Sequence, residues 1–240
     1  MDPDTVTVFS FSGIDGAGKS TQIAQLRRYL DQLGLRVTLY TFWDDVVAFS
    51  RLREGLSLSL FKGDKGIGSP DRPIVRRDKN VNSGFLVAFR LLLYSFDVLR
   101  LCMVAQRVGA DNADVVIFDR YIYDELANLP SDRWLIRLYT RLLLKLTPKP
   151  DVAVLVDAIP EAACARKPEY PLEFVRRNRE AYLKIARVAG MTVLPAGSIE
   201  EAEAHLRSLV SELLSGRVKT PLATPFEYAA HDNSATGTTG

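Results

Sequence analysis

Eight residues near the N-terminus, Gly13-Ile14-Asp15-Gly16-Ala17-Gly18-Lys19-Ser20, follow the pattern G-x-x-x-x-G-K-[ST]. Each residue type at that spacing suits a polyphosphate. Glycines let the backbone curl until its N–H groups converge on phosphate oxygens, and a following helix adds the positive end of its dipole. Lys19 reaches the β- and γ-phosphates, and the Ser20 hydroxyl is a ligand for Mg2+. Gly13, Asp15, Gly16, Ala17, Gly18, Lys19, Ser20 and Thr21 are therefore the expected donor-nucleotide contacts, with ATP and Mg2+ as the expected ligands. A GTPase would also carry a guanine-specifying Asn-Lys-x-Asp, and the chain has none. Small P-loop kinases remain.

Such a loop works only between a strand and a helix, and the flanking sequence supplies both. Thr5 to Phe11 is a short β-rich run closing on Gly13. From Lys19 to about Leu33 the apolar residues Ile23, Leu26, Leu30 and Leu33 recur at helical spacing, with Gly34 placed to cap the end. Leu35 to Phe42 reads as a second strand, completing the βαβ grammar of a parallel sheet. Further strands are expected at Asp114–Phe118, Asp151–Val156 and Met191–Leu194, apolar on consecutive residues as strands covered on both faces should be. Helices are expected over roughly 45–60, 84–108, 131–146, 173–189 and 198–215. The fold class is a three-layer α/β P-loop NTPase with a five-stranded parallel sheet. The kinase domain spans 1–215. Within it, 62–82 combines five Gly and Pro with six Lys/Arg and three Asp, which reads as a mobile basic loop. The Thr/Ala/Pro/Gly composition of 216–240 predicts a disordered tail.

Composition narrows the chemistry. Lys+Arg 31 against Asp+Glu 29 leaves a net charge of +2, so no field advertises a nucleic-acid or membrane partner. Two cysteines and two histidines are too few for a disulfide framework or a thiolate zinc site. The start is acidic where a signal peptide would be basic, and Val81–Val108 is interrupted by Arg90, Asp97 and Arg100. A cytoplasmic enzyme is expected.

The stretch from Phe9 to Gln22 resembles the opening of the thymidylate kinase family, nucleoside monophosphate kinases of the P-loop class. Phe118-Asp119-Arg120-Tyr121 resembles that family's Asp-Arg-Tyr/His motif. Pro150-Asp151 through Asp157 to Pro160-Glu161, and the helix around Arg179-Glu180-Ala181-Tyr182-Leu183, are similar to later family segments. The similarity runs patchily over about 5–195. It implies ATP-dependent phosphorylation of a nucleotide, dTMP above all. It further implies that Asp15 bonds the acceptor's 3′-hydroxyl, that Asp119 holds Mg2+ through water beside Ser20, and that Arg120 grips the acceptor phosphate and the transferring group. Phe96 and Arg100 match the family's base-stacking aromatic and base-reading arginine. Arg166 matches a catalytic arginine that some members carry in the lid when the loop position occupied here by Ala17 lacks one. Lys19, Arg120 and Arg166 are thus the expected catalytic set, the lid falls at 164–173, and homodimerisation through the 84–108 helix is a family expectation.

The chain also departs from the family. After the second strand an arginine normally clamps the acceptor phosphate; here Tyr40-Thr41-Phe42-Trp43-Asp44-Asp45 brings two carboxylates instead. Two other readings stay open at this stage. In one, Asp44 or Asp45 is the base of a kinase for a deoxynucleoside or another small hydroxyl substrate. In the other, the chain is a nucleotide-binding regulatory protein without acceptor activity. A replacement clamp could come from Arg51, Arg53, Arg72, Arg76 or Arg77.

Overall fold

Short strands with apolar residues on both faces call for a layered sheet, and the computed structural model, which describes residues 6–47, 84–108 and 112–214, has one of five strands whose three inner members are the buried ones. β1 (Thr7–Ser12), β2 (Val37–Thr41), β3 (Val115–Asp119), β4 (Val152–Val156) and β5 (Thr192–Leu194) form one all-parallel sheet in the order β2-β3-β1-β4-β5. Val115 to Phe118 are buried without a break, which requires cover on both faces. Helices supply that cover.

β1 lies at the centre, so the chain crosses to β2 on one side and, after β3, to β4 on the other. In open α/β sheets, ligands bind in the crevice beyond the strand C-termini where the winding reverses. The expected Gly-rich loop follows β1, the Asp-Arg-Tyr turn follows β3, and 157–166 follows β4, so all three meet at that edge. Register keeps them level: Phe11 pairs with both Asp119 and Val154.

α1 (Lys19–Gln32) buries Ile23, Leu26 and Leu30 against the sheet, and the Gly34 N–H closes its end on the Asp31 carbonyl at 3.0 Å. α2 (Gly84–Val108), α6 (Leu172–Ala189) and α7 (Ile199–Leu214) fall within a residue or two of expectation. α4 (Trp134–Leu146) starts three residues later than expected. Two helices were not anticipated. α3 (Ile122–Leu126) is a single buried turn, too short to display a period, and α5 (Pro160–Arg166) begins with proline at a first-turn position that needs no N–H. The expected lid at 164–173 therefore consists of the end of α5, a loop over 167–171 and the start of α6.

β2 ends at Thr41, and Phe42–Val46 form a five-residue π-helical turn, with Val47 N–H donating to Phe42 at 2.9 Å. The remainder of the helix expected over 45–60, the basic loop 62–82 and the tail 216–240 lie outside the described residues. No described helix is long and apolar enough to cross a membrane.

Candidate active site

The loop after β1 is shaped by two close approaches. A Cβ on Gly13 would lie 2.4 Å from the Val156 carbonyl oxygen, and one on Gly16 would lie 2.4 Å from that of Ala163. Both glycines also have positive φ, +143° and +79°, so no L side chain fits either position without strain. The first contact seats the loop on β4 and the second seats it on α5. α1 then opens with no side-chain cap and no acidic residue in its first turn. An uncapped helix start with no acid in its own first turn favours an anion there.

Lys19 is buried beneath this loop, its Nζ donating to the carbonyls of Gly13 at 2.8 Å and Ile14 at 2.9 Å. Burial first, and repulsion from Arg120 second, bring its ammonium down from 10.5 to about 8, against the opposing pull of Asp124, Asp15 and Asp119. A polyphosphate would replace the two carbonyls with full negative charges.

The turn after β3 carries Asp119 and Arg120. The Asp119 carboxylate has no hydrogen bond or ion pair among the described residues, and burial raises it above the usual range, partly offset by Arg120 and Lys19. Arg120 adopts φ +69°, in the left-handed region, while its N–H holds the Phe11 carbonyl at 2.9 Å. A non-glycine residue there is strained by about 1–3 kcal/mol. That conformation turns the guanidinium between two carboxylates: Nη1 donates to Asp124 Oδ1 at 3.0 Å and Nη2 to Asp15 Oδ1. Burial opposes the charge, but Asp124, Tyr182 and Asp15 outweigh it and keep the arginine firmly protonated.

These groups border one cavity of about 300 Å³, lined by Asp15, Gly16, Gly18, Lys19, Ser20, Thr21, Asp119, Arg120, Arg166 and Lys167. Arg166 ends α5, exposed, with Nε on the Ala162 carbonyl at 3.3 Å. Its helix is braced at the base by ion pairs of Glu161 with Arg176 and of Asp157 with Arg179, both at 2.6 Å. Among the described residues no group of three or more His, Cys, Asp or Glu forms a metal cage. Mg2+ needs none, since it is usually held by one or two carboxylates together with substrate phosphate and water. The unpartnered Asp119 and the Ser20 hydroxyl fit that donor set.

Two expected contacts lie elsewhere. Phe96 is 41% exposed on the face of α2 opposite buried Tyr94, Val98 and Leu101, and alongside exposed Leu92, Leu99 and Met103. Arg100 donates to the carbonyls of Asp45 and Val47, each at 3.2 Å, tying α2 to the turn after β2. Neither lines the cavity among its described residues. Of the two carboxylates after β2, Asp45 accepts the Thr41 N–H at 2.7 Å and so caps the turn, while Asp44 is exposed and has no partner among the described residues.

Sequence reasoning passed over Lys167 and, more importantly, Asp124. Asp124 is 1% exposed and gathers donors from Ser12, Arg120, Tyr121 and Tyr182. The one available signal was its position four residues after Arg120, where helical neighbours meet; nothing in the sequence marks Tyr182 as its partner.

No protein-family model matches the chain. Over 219 residues it is 30% identical to a probable thymidylate kinase of Thermococcus gammatolerans, covering 85% of this chain and 96% of that one. It is 27% identical over 229 residues to a thymidylate kinase of Symbiobacterium thermophilum, covering 88% and 95%. Among solved structures, thymidylate kinase from Ehrlichia chaffeensis superposes with a TM-score of 0.52 at 19% identity, over 86% of this chain and 98% of the other, a likeness of fold.

Proposed function

Because this chain belongs to the thymidylate kinase family, we propose that it transfers the γ-phosphoryl group of ATP to the phosphate of dTMP, giving ADP and dTDP. The observation that carries the reading is the one cavity shared by Lys19, Asp119, Arg120 and Arg166, which reach it from the segments that follow β1, β3 and β4.

An acceptor phosphate is already ionised, so this reaction needs no general base. It needs cations to offset repulsion between two phosphates and to stabilise charge on the transferring oxygens. In this reading Gly13 to Thr21 and the start of α1 hold the donor phosphates, and Lys19 exchanges its two carbonyl partners for them. Ser20 and Asp119 are the residues that would hold Mg2+, which would supply positive charge to the donor phosphates. Arg120 from β3 and Arg166 from α5 face the transferring group. Asp15 takes the acceptor's sugar hydroxyl. Arg100 is assigned to its base, which it reaches by giving up a carbonyl of the turn after β2, whereas Phe96 stands on the outward face of α2 with Leu92, Leu99 and Met103.

A panel of nucleotides and nucleosides with Mg·ATP, read by ADP formation, tests this. dTMP is the expected acceptor. Rapid phosphorylation of thymidine with none of dTMP would favour the hydroxyl-kinase reading, for which exposed Asp44 is the available base.

We further propose a homodimer built on α2 and α4. The two helices are adjacent, with Ser95 Oγ and Tyr139 OH 3.1 Å apart. Leu92, Leu99 and Met103 on α2 and Leu135, Leu138, Leu142 and Leu146 on α4 leave apolar side chains exposed at helical spacing, an arrangement that favours a second apolar surface. Light scattering on the eluting protein should give twice the chain mass, and Leu142→Glu should give the single chain; a monomeric wild type refutes it.

A further inference from the structure

Asp124 belongs to none of the motifs above, yet it is the most completely bonded carboxylate among those at the site. Its Oδ1 accepts from Arg120 Nη1 at 3.0 Å and from the Tyr182 hydroxyl at 2.8 Å. Its Oδ2 accepts from the Ser12 hydroxyl at 2.6 Å and from the Tyr121 N–H at 3.2 Å. A carboxylate offers about four lone-pair directions, so every one is taken, and the group cannot rotate without breaking two bonds at once. Its donors come from the end of β1, the turn after β3 and α6, which locks three elements around one buried anion.

The second carboxylate on Arg120 is of a different kind. Asp15 has 22% of its side chain exposed against 1% for Asp124, and it lines the cavity where Asp124 does not. One edge of the guanidinium is therefore pinned in the protein interior, and the other edge is presented to the cavity by a partner in contact with solvent. A buried charge whose partner is removed is destabilised far more than an exposed one, so an arriving anion displaces Asp15 and not Asp124.

We propose that Asp124 is the positioning residue of the phosphoryl transfer: it fixes the guanidinium of Arg120 above the Gly-rich loop, and Asp15 is the partner that yields to the incoming phosphate. This rests on the reading of Arg120 as the cation facing the transferring group. Ser12 extends the same anchor to the loop, because it immediately precedes Gly13 and its hydroxyl is bonded to Asp124. Arginine and donor-phosphate loop are thus registered on one group. Asn in place of Asp124 has the same shape but brings two N–H donors, which conflict with a donor already present, the Tyr121 N–H or Arg120.

The experiment is a mutant cycle on kcat with Asp124→Asn, Arg120→Lys and the double variant, each with KM for ATP and dTMP and with thermal unfolding. A misplacement of about 1 Å at a reacting group costs on the order of 100-fold. Asp124→Asn should accordingly lower kcat and kcat/KM together by about that factor, with KM for ATP little changed, because the interaction lost is made in the transition state. In the Arg120→Lys background, where the fork that Asp124 orients is gone, the same substitution should cost almost nothing further. Tyr182→Phe, which removes one donor and leaves both charges, serves if Asp124→Asn does not fold; its kcat should fall several-fold, and again not in the Arg120→Lys background. Losses that multiply independently of Arg120, or a lowered unfolding temperature with kcat unchanged, overturn the inference. Wild-type kcat in Arg120→Lys removes the assignment of Arg120 and this inference with it. An impaired Arg120→Lys beside fully active Asp124→Asn and Tyr182→Phe removes this inference alone.

Discussion

Lys19 loses its proton within the range in which the protein would be assayed, and this fixes how donor binding changes with pH. In the nucleotide-free protein its ammonium lies at about 8, brought down chiefly by burial. A lysine whose folded value is depressed binds fewer protons folded than unfolded. Its contribution to stability therefore rises between about pH 8 and pH 10.5, as a poorly solvated charge disappears. Donor binding runs in the opposite direction, because a polyphosphate binds the charged form and draws the ammonium value back up. With a free-state value of about 8, the protonated fraction is roughly 0.9 at pH 7 and roughly 0.1 at pH 9. Affinity for Mg·ATP should fall about tenfold over that interval, or about 1.4 kcal/mol. Calorimetric titration at pH 7, 8 and 9 and constant ionic strength measures this directly. At pH 8, comparison of two buffers with different ionisation enthalpies should show uptake of about half a proton per nucleotide. Lys19→Ala should bind more weakly throughout and without that slope. A wild-type dissociation constant that is flat from pH 7 to 9, with no proton uptake, would refute the placement of Lys19 against the donor phosphates.

Gly16→Ala should damage both the loop and α5, since the new Cβ meets the Ala163 carbonyl at 2.4 Å in a backbone with φ +79°; unchanged ATP affinity and unfolding temperature would contradict the close packing. Phe11→Ala, at a position with no exposure, should cost about 3–5 kcal/mol in urea unfolding. Asp45→Ala removes the bond to the Thr41 N–H and should cost about 1 kcal/mol with turnover of dTMP retained; loss of turnover without loss of stability would place Asp45 in the chemistry.

The central strands β1, β3 and β4 were legible because they are covered on both faces, and a short run such as Val115-Val116-Ile117-Phe118, rich in β-branched residues, suits a strand buried in that way. The loop after β1 was legible because its residue types are dictated by phosphate geometry, and Gly13 and Gly16 also turn out to be the points where neighbouring backbone leaves no room for a side chain. What the sequence could not convey is how charges share partners. Asp124 sits in the single turn α3, where no period shows, and its burial makes sense only once Tyr182, 58 residues later, and Ser12, 112 residues earlier, have been brought to it. Phe96 and Arg100 illustrate the same limit on a helix. Their spacing places them near one face, but whether that face meets the cavity, the core or the outside is decided by what packs on α2, and Tyr94, Val98 and Leu101 take the core side. Aspartates after a strand are equally ambiguous in sequence, and the structure separates them, with Asp45 used as a cap and Asp44 left exposed.

The destination of the γ-phosphoryl group decides between a nucleotide kinase and the other readings of this site. Phosphorus NMR of the wild-type protein incubated with Mg·ATP and dTMP should show the ATP resonances giving way to two diphosphates, ADP and dTDP, in equal amounts, and Lys19→Ala should leave the spectrum unchanged. ATP that persists beside dTMP, or that is consumed only when thymidine replaces it, would contradict the account.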